Sequence, residues 1–127
     1  MHTVAILGAS DNISRYSYMA VDLLSKAEEG YHVIPINPAK KVICGLQSVA
    51  TLDDVSEKID TLSVYVKPLI STHISDQILR SHPSRVIFNP GTENPSLMEK
   101  LSADGVKVIE ACTLVLQKSK QFLREDL

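Results

Sequence analysis

The stretch TVAILGAS at residues 3–10 decides the fold that this sequence adopts. Its first part, residues 3–7, is an unbroken apolar and β-branched run, which predicts a strand buried on both faces. Gly8 then permits a tight turn, and the small residues Ala9 and Ser10 leave room for another group to approach the backbone. A strand that ends in such a turn and is followed by a helix is typical of the first unit of a parallel α/β sheet.

The same alternation of short apolar runs and helix-period segments continues along the chain. Strands are predicted at residues 3–7, 32–36, 62–66, 85–88 and 106–109. Strands separated by helices are joined by right-handed crossovers and therefore lie parallel, and aliphatic strand cores favour helices on both faces. We predict a single domain over residues 1–127, an α/β fold of three layers with a Rossmann-like, doubly wound, five-stranded parallel sheet.

Apolar spacing and terminal residues mark the helices between these strands. Residues 19–27 have helical spacing, and the isoleucine stripe over residues 70–78 predicts one continuous helix. Asn94 is expected to cap a helix with proline at its first position. A short edge segment is expected within residues 45–52, and a last helix over residues 111–122.

Composition and charge argue against several classes of function. The sequence has 44% apolar and 22% charged residues, as globular proteins do, and its formal net charge of −2 argues against nucleic-acid binding. No stretch approaches the roughly 20 apolar residues of a membrane span, and no basic segment typical of a signal peptide precedes the first strand. Cys44 and Cys112, far apart and without histidines at ligand spacing, predict a reduced, cytoplasmic protein without a metal site.

Turn-forming or small residues follow every predicted strand. These segments are Gly8-Ala9-Ser10, Asn37-Pro38, Lys67-Pro68, Asn89-Pro90-Gly91 and Glu110-Ala111-Cys112. In open parallel sheets, ligands bind outside the carboxyl ends of the strands, so this recurrence indicates a ligand site at that edge. After the first strand, the free amides and the positive dipole end of the next helix favour a phosphate.

The first two strand ends narrow the choice of nucleotide. The dinucleotide fingerprint would require glycines where Ser10 and Ile13 stand, and NAD-binding proteins usually carry an acid where Asn37-Pro38 stands. Instead, Lys40-Lys41 follows the second strand and Arg15 lies on the first loop, which suits a phosphorylated ribose. Coenzyme A, with its 3′-phosphate, and NADP, with its 2′-phosphate, both remain compatible with this pattern.

The sequence offers little evidence of catalytic residues. No Ser-His-Asp or Cys-His set has a plausible spacing, so we predict no catalytic residue. Cys112 lies near a predicted helix start, which can lower a thiol pKa, but Glu110 opposes that effect, and we interpret Cys112 as a buried structural cysteine. The side chains of Tyr16, Tyr18 and Tyr65 either stack on an adenine or pack against the protein.

Five short segments in a fixed order resemble a known family. They are residues 4–10, 15–18, 33–38, 89–94 and 108–116. The chain is similar in them to the small stand-alone CoA-binding-domain proteins, which share the nucleotide-binding domain of the succinyl-CoA synthetase α-subunit. The resemblance implies bound coenzyme A. It implies no ligase activity, because the synthetase's second domain has no counterpart in this sequence.

The resemblance also implies which residues hold CoA across the strand ends. Its phosphates would contact Gly8, Ala9, Ser10 and Arg15. The ribose phosphate side would lie against Asn37, Pro38 and Lys40. The adenine or pantetheine path would follow Val66, Lys67 and Pro68. The far rim would be lined by Asn89, Pro90 and Gly91.

Three hypotheses for function follow, in this order. The first is a module that binds CoA or acyl-CoA without catalysis, in a regulatory or cofactor-holding role. The second is an NADP(H)-binding protein or sensor, against which the missing glycines argue. The third is an enzyme that exchanges acyl or thiol groups through Cys112. Neither nucleic acid nor membrane is expected as a partner, and apolar helix faces could support a homodimer.

Overall fold

A parallel sheet of five strands runs through the centre of the computed structural model, which describes residues 1–127. The strands are β1 (Thr3–Leu7), β2 (His32–Ile36), β3 (Val42–Ile43), β4 (Leu46–Gln47), β5 (Thr61–Val64), β6 (Arg85–Phe88) and β7 (Lys107–Glu110). The helices are α1 (Tyr16–Ser25), α2 (Pro68–His73), α3 (Ser75–Ser81), α4 (Pro95–Ala103) and α5 (Thr113–Lys118). A separate antiparallel hairpin is formed by β3 and β4, so the other strands make up the sheet.

The strand order in the sheet is β2-β1-β5-β6-β7, and all neighbours pair in parallel. The chain therefore runs outward from β1 to β2, then crosses back over β1 and continues to the opposite edge. The order reverses between β1 and β5, which is the point where open parallel sheets leave a crevice for ligands. The predicted Rossmann-like, doubly wound α/β fold is confirmed.

Alternate strand residues supply an apolar core on each face of the sheet. Ala5 and Leu7 belong to a cluster of 14 buried residues that includes side chains of α3 and α4. Val4 and Ile6 belong to a cluster of 13 that includes side chains of α1 and α5. Because both faces are covered, every residue of β1 is buried. No helix has the length and apolar character that crossing a membrane requires.

The isoleucine stripe that predicted one helix is divided between α2 and α3, which meet at Ile74. Ile74 leaves helical angles (φ −106°, ψ 20°), and its neighbours along the stripe differ in burial, with Ile70 48% exposed and Ile78 0% exposed. Nδ2 of Asn94 donates to Ser71 Oγ at 2.8 Å and thereby ties α2 to the start of α4. Because α2 is anchored by this contact and α3 by the burial of Ile78, the single-helix prediction is wrong.

Other boundaries differ from the sequence prediction by a few residues. α1 ends at Ser25, and β5 ends at Val64 although Tyr65 N still donates to Leu7 O at 2.9 Å. The last helix is shorter than predicted because Lys120 takes a left-handed conformation (φ 61°) after α5. The predicted N-cap of α4 is confirmed, since the Asn94 side chain accepts a hydrogen bond from the N–H of Leu97.

Candidate functional site

A cleft of about 380 Å³ lies at the carboxyl ends of β1, β2 and β5, beside the reversal of strand order. It is lined by Gly8, Ala9, Ser10, Arg15, Tyr16, Ser17, Asn37 and Tyr65. The fold thus brings the predicted phosphate residues together with Asn37 from the second strand end. The other predicted binding residues do not line this cleft; they are Pro38, Lys40, Val66, Lys67, Pro68, Asn89, Pro90 and Gly91.

The turn after β1 is held tightly against the neighbouring strands. Gly8 has φ +86°, and a Cβ added to it would lie 2.8 Å from Val66 Cγ1. The N–H groups of Gly8 and Ala9 both donate to Ile36 O, at 3.2 and 3.1 Å. Their amides are therefore used within the protein. An anion in the cleft would have to find its donors further along the loop, from Ser10 onward.

The start of α1 supplies such donors. The N–H groups of Tyr16, Ser17 and Tyr18 have no hydrogen-bond partner within the chain, and Arg15 at the N-cap provides no side-chain cap. The first turn of the helix carries no acidic residue, so nothing cancels the positive end of the helix dipole. The Arg15 side chain is exposed beside these amides. This end of the cleft favours an anion.

Asn37 joins the first two strand ends through its side chain. Its Nδ2 donates to Ala9 O at 2.7 Å, and its Oδ1 accepts from the N–H groups of Ala39 (2.7 Å) and Lys40 (2.8 Å). The amide group is therefore committed to shaping both loops. Lys40 lies over the first loop, with its Nζ 3.5 Å from Asp11 Oδ2.

The residues that follow β5 lie beside the cleft at the same edge of the sheet. Val66 is partly buried against Gly8, whereas Lys67 and Pro68 are exposed. Lys67 is the N-cap of α2 and Pro68 its first residue, so the proline marks a helix start as well as a strand end. These residues border the cleft without lining it.

Asn89, predicted at the far rim, has a buried side chain that is 2% exposed. Its Nδ2 donates to Ser63 Oγ and to Val64 O, both at 2.9 Å, and its Oδ1 accepts from the N–H of Thr113 at 2.8 Å. It therefore links β5 and β6 to the start of α5. Only the following Pro90 and Gly91 are exposed at the rim.

Tyr65 lines the cleft although the sequence placed it inside a strand. Its hydroxyl is the one buried side-chain polar atom in the protein without a hydrogen-bond partner. Burial raises the pKa of Tyr65 to about 12. Tyr16 and Ser17 also line the cleft. Their position shortly after residues 8–10, at the start of the next helix, is the sequence feature that points to the cleft.

Cys112 has no arrangement that would activate its thiol. It is half-buried at the N-cap of α5, packed against the apolar cluster on the α1 face, and its Sγ forms no hydrogen bond. The fold therefore presents no nucleophile with an oriented base at this edge. The structure also holds no group of three potential metal ligands placed to bind an ion.

Raising the pH from about 10 to about 12 is expected to destabilise the fold through Tyr31 and Tyr65. Burial raises the pKa of both to about 12, against about 10 for an unfolded tyrosine. Because the folded protein holds these two protons more tightly than the unfolded chain does, the two tyrosines contribute their full stabilisation below about pH 10. That contribution is lost as the pH rises through about 12. Urea unfolding measured at steps across this range tests the expectation.

Tyr65→Phe isolates the contribution of one of these groups. It removes one ionisation and an unpartnered hydroxyl, so it should keep or raise the stability at about pH 8 and make the alkaline decline shallower. A decline as steep as in the parent chain would show that Tyr65 does not cause it.

Comparison with known proteins relates this chain to a family. Residues 2–118 match the family described as CoA binding domain. A crystal structure of an uncharacterized protein is 36% identical, with a TM-score of 0.87 over 96% of this chain and 98% of that one. The uncharacterized protein YneT of Bacillus subtilis is 26% identical over 106 residues, which are 84% of this chain and 77% of that protein.

A larger enzyme also contains a similar domain. The apo form of the dinucleotide-forming acetyl-coenzyme A synthetase 1 of Ca. Korarchaeum cryptofilum is 25% identical, with a TM-score of 0.66. That alignment covers 84% of this chain and 25% of the synthetase chain. The family match itself includes every strand of the sheet and every residue that lines the cleft. This chain therefore belongs to the CoA binding domain family.

Proposed function

We propose that the chain binds coenzyme A or an acyl-CoA at the cleft between the ends of β1, β2 and β5. The observation that carries this proposal is the row of unpartnered amides at the start of α1, beside the cleft, in a chain of the CoA binding domain family. Amides at a helix N-terminus commonly hold phosphate. The diphosphate of CoA would lie there, with Arg15 beside it as a fork-shaped donor.

The 3′-phosphate of the ribose would lie toward the loop after β2. Lys40 and Asp11 are 55% and 51% exposed, and ion pairs between such exposed groups contribute little. Lys40 would therefore lose little by breaking its ion pair with Asp11, and its ammonium group would pair with an oxygen of the 3′-phosphate instead. Asn37 and Pro38 stand where an acid would otherwise bind a free ribose diol.

The remaining predicted residues would guide the rest of the ligand. The adenine or pantetheine path would follow Val66 and the exposed Lys67-Pro68, and the far rim would be the exposed Pro90-Gly91. Asn89 would act from below by fixing the strand ends, since its side chain is committed to the protein. Tyr65 offers an aromatic face at the inner wall of the cleft.

Binding without catalysis is the role that the site supports best. Half-buried Cys112 lacks an oriented base, and no other nucleophile stands at this edge with one. We propose that residues 1–127 act as one CoA-holding or regulatory domain in the reducing cytoplasm, where Cys44 and Cys112 stay free thiols.

Calorimetric titration with CoA, dephospho-CoA and NADPH tests this function. CoA is expected to bind with the highest affinity, and dephospho-CoA about tenfold more weakly because it lacks the 3′-phosphate. Absence of CoA binding overturns the proposal. Tighter binding of NADPH than of CoA would instead favour the NADP(H)-binding hypothesis.

A pair of arginine variants tests the proposed phosphate contact. Arg15→Ala is expected to weaken CoA binding tenfold or more, since a charge-assisted hydrogen bond contributes about 1.5–3 kcal/mol. Arg80→Ala is the matched control, because Arg80 is an exposed residue of α3 paired with Asp53 at 2.9 Å, away from the cleft. Equal losses in both variants would show a nonspecific effect of charge.

A further inference from the structure

A second cleft, of about 400 Å³, lies at the opposite edge of the sheet, where the strands begin. It is formed by residues just before β1 and β5, by the first residues of β6 and β7, and by the segment after α5. Its charged members are Asp60, Arg85, Lys107, Arg124 and Glu125. The CoA site proposed above lies at the other ends of the same strands, so the two sites share no residue.

Arg85 is the unusual member of this cleft, because it is only 7% exposed. Its Nε donates to Thr61 Oγ1 at 2.8 Å, and one Nη2 hydrogen is donated to Phe122 O. The guanidinium carbon lies 4.6 Å from the centroid of the Phe122 ring. These contacts fix the orientation of the guanidinium group.

The charge of Arg85 has no counter-ion in the protein. None of its nitrogens lies within 4.0 Å of a carboxylate oxygen, although Asp60 and Glu125 line the same cleft. Asp60 instead accepts a hydrogen bond from the N–H of Thr3 at 2.8 Å. A buried cation without a partner is costly, so a structure that keeps one favours an anion beside it.

The unused hydrogens of Arg85 face the cleft. A guanidinium group has five N–H donors, and Nη1 forms no hydrogen bond within the chain. A fully buried Nη1 would be an unpartnered buried atom, and the protein's single such side-chain atom is Tyr65 Oη. Nη1 therefore keeps some exposure to solvent, and Arg85 is one of the residues that line the cleft. A fork donor that is held rigidly and open on one side matches the geometry of a carboxylate.

We propose that a small organic monocarboxylate binds in this second cleft, with its carboxylate against Arg85 and Lys107. Lys107 lies at the start of the neighbouring strand β7, with its Nζ donating to Glu125 O. Asp60 and Glu125 would disfavour a dianion such as phosphate by like-charge repulsion, and they would accept hydrogen bonds from hydroxyl or amino groups of the ligand. No residue of the proposed CoA site takes part in this second site.

Nuclear magnetic resonance of the Arg85 Nε–Hε group tests this site, with acetate and inorganic phosphate as probes. Acetate is expected to shift the resonance saturably, with a dissociation constant of about 1–10 mM, and phosphate is expected to bind more weakly. A shift that stays linear to about 100 mM acetate overturns the site, since that is at least tenfold above the expected constant. Tighter binding of phosphate overturns the assigned ligand class.

Charge variants separate a binding site from a structural arginine. Arg85→Gln is expected to weaken acetate binding tenfold or more, and Lys107→Gln is expected to weaken it about threefold. Asp60→Asn keeps the acceptor for the N–H of Thr3 but removes a negative charge, so it is expected to strengthen acetate binding. These titrations follow backbone amides near the cleft, because Arg85→Gln lacks the side-chain probe. Unchanged constants in all folded variants overturn the proposal. If Arg85→Gln does not fold, the other two variants decide. Weaker acetate binding by Lys107→Gln together with tighter binding by Asp60→Asn supports the proposed site, whereas changes in the same direction, or no change, overturn it.

Discussion

Replacing Gly8 with alanine is expected to lower the free energy of unfolding by about 2–5 kcal/mol and to weaken CoA binding strongly. The backbone at Gly8 has φ +86°, where a Cβ costs about 1–2 kcal/mol. The new Cβ would also lie 2.8 Å from Val66 Cγ1 and 3.2 Å from the carbonyl carbon of Tyr65, and the second of these is backbone that cannot rotate away. Urea denaturation measures the first effect and CoA titration the second.

Gly30→Ala is the matched control for this substitution. Gly30 also has positive φ, +74°, but an added Cβ would meet no atom within 4 Å. It should therefore cost only the backbone strain of about 1–2 kcal/mol and leave CoA binding unchanged. If both variants lose the same stability, the contact between the β1 turn and the end of β5 does not constrain Gly8.

The fold could be predicted from the sequence because each strand is locally recognisable. The aliphatic runs are long enough to be strands and too short to be helices, and Gly8 and Gly105 end their elements where the chain must turn. The order of strands and helices then leaves a parallel sheet as the natural topology. These patterns depend only on residues that are close together in the chain, so the sequence alone was sufficient to predict the fold.

Contacts between distant residues could not be predicted in this way. The stripe through Ile74 has the same spacing whether the helix is continuous or broken, and the contact from Asn94 that anchors α2 comes from 23 residues further along the chain. Arg85 reads as an ordinary charged residue at a strand start, and its burial depends on Phe122. Both features depend on tertiary packing.

The candidate site was predicted in part for the same reason. The turn after β1 and the loop that follows it are local, so the sequence could place Gly8 to Ser10 and Arg15 together at one strand end. For Tyr65 the sequence left open whether it stacks on a ligand or packs against the protein, and the observed end of β5 at Val64 places it in the cleft. A polar residue directly after a strand, such as Asn89, suggests a ligand contact. The sequence does not show whether its side chain points to the ligand or into the protein.

Asn89→Ala is therefore expected to act mainly on the fold, lowering the free energy of unfolding by about 2–4 kcal/mol. The change leaves the buried N–H of Thr113 without its acceptor at 2.8 Å and removes the donor to Ser63 Oγ and Val64 O. Unsatisfied buried groups cost about 1–3 kcal/mol each, and relaxation offsets part of the sum. Thermal or urea unfolding measures the loss.

Ser25→Ala provides the control, because the Ser25 hydroxyl also donates to a backbone carbonyl, that of Asp22 at 3.0 Å, but lies exposed at the end of α1, away from the cleft. It is expected to change the stability by less than about 0.5 kcal/mol, since water replaces the lost donor. Comparison of CoA affinity then decides the role of Asn89. Folded Asn89→Ala protein that binds CoA within about threefold of the parent assigns Asn89 to positioning, because one direct polar contact is worth a larger factor. A loss of more than tenfold in folded protein would contradict a role for Asn89 in stability alone.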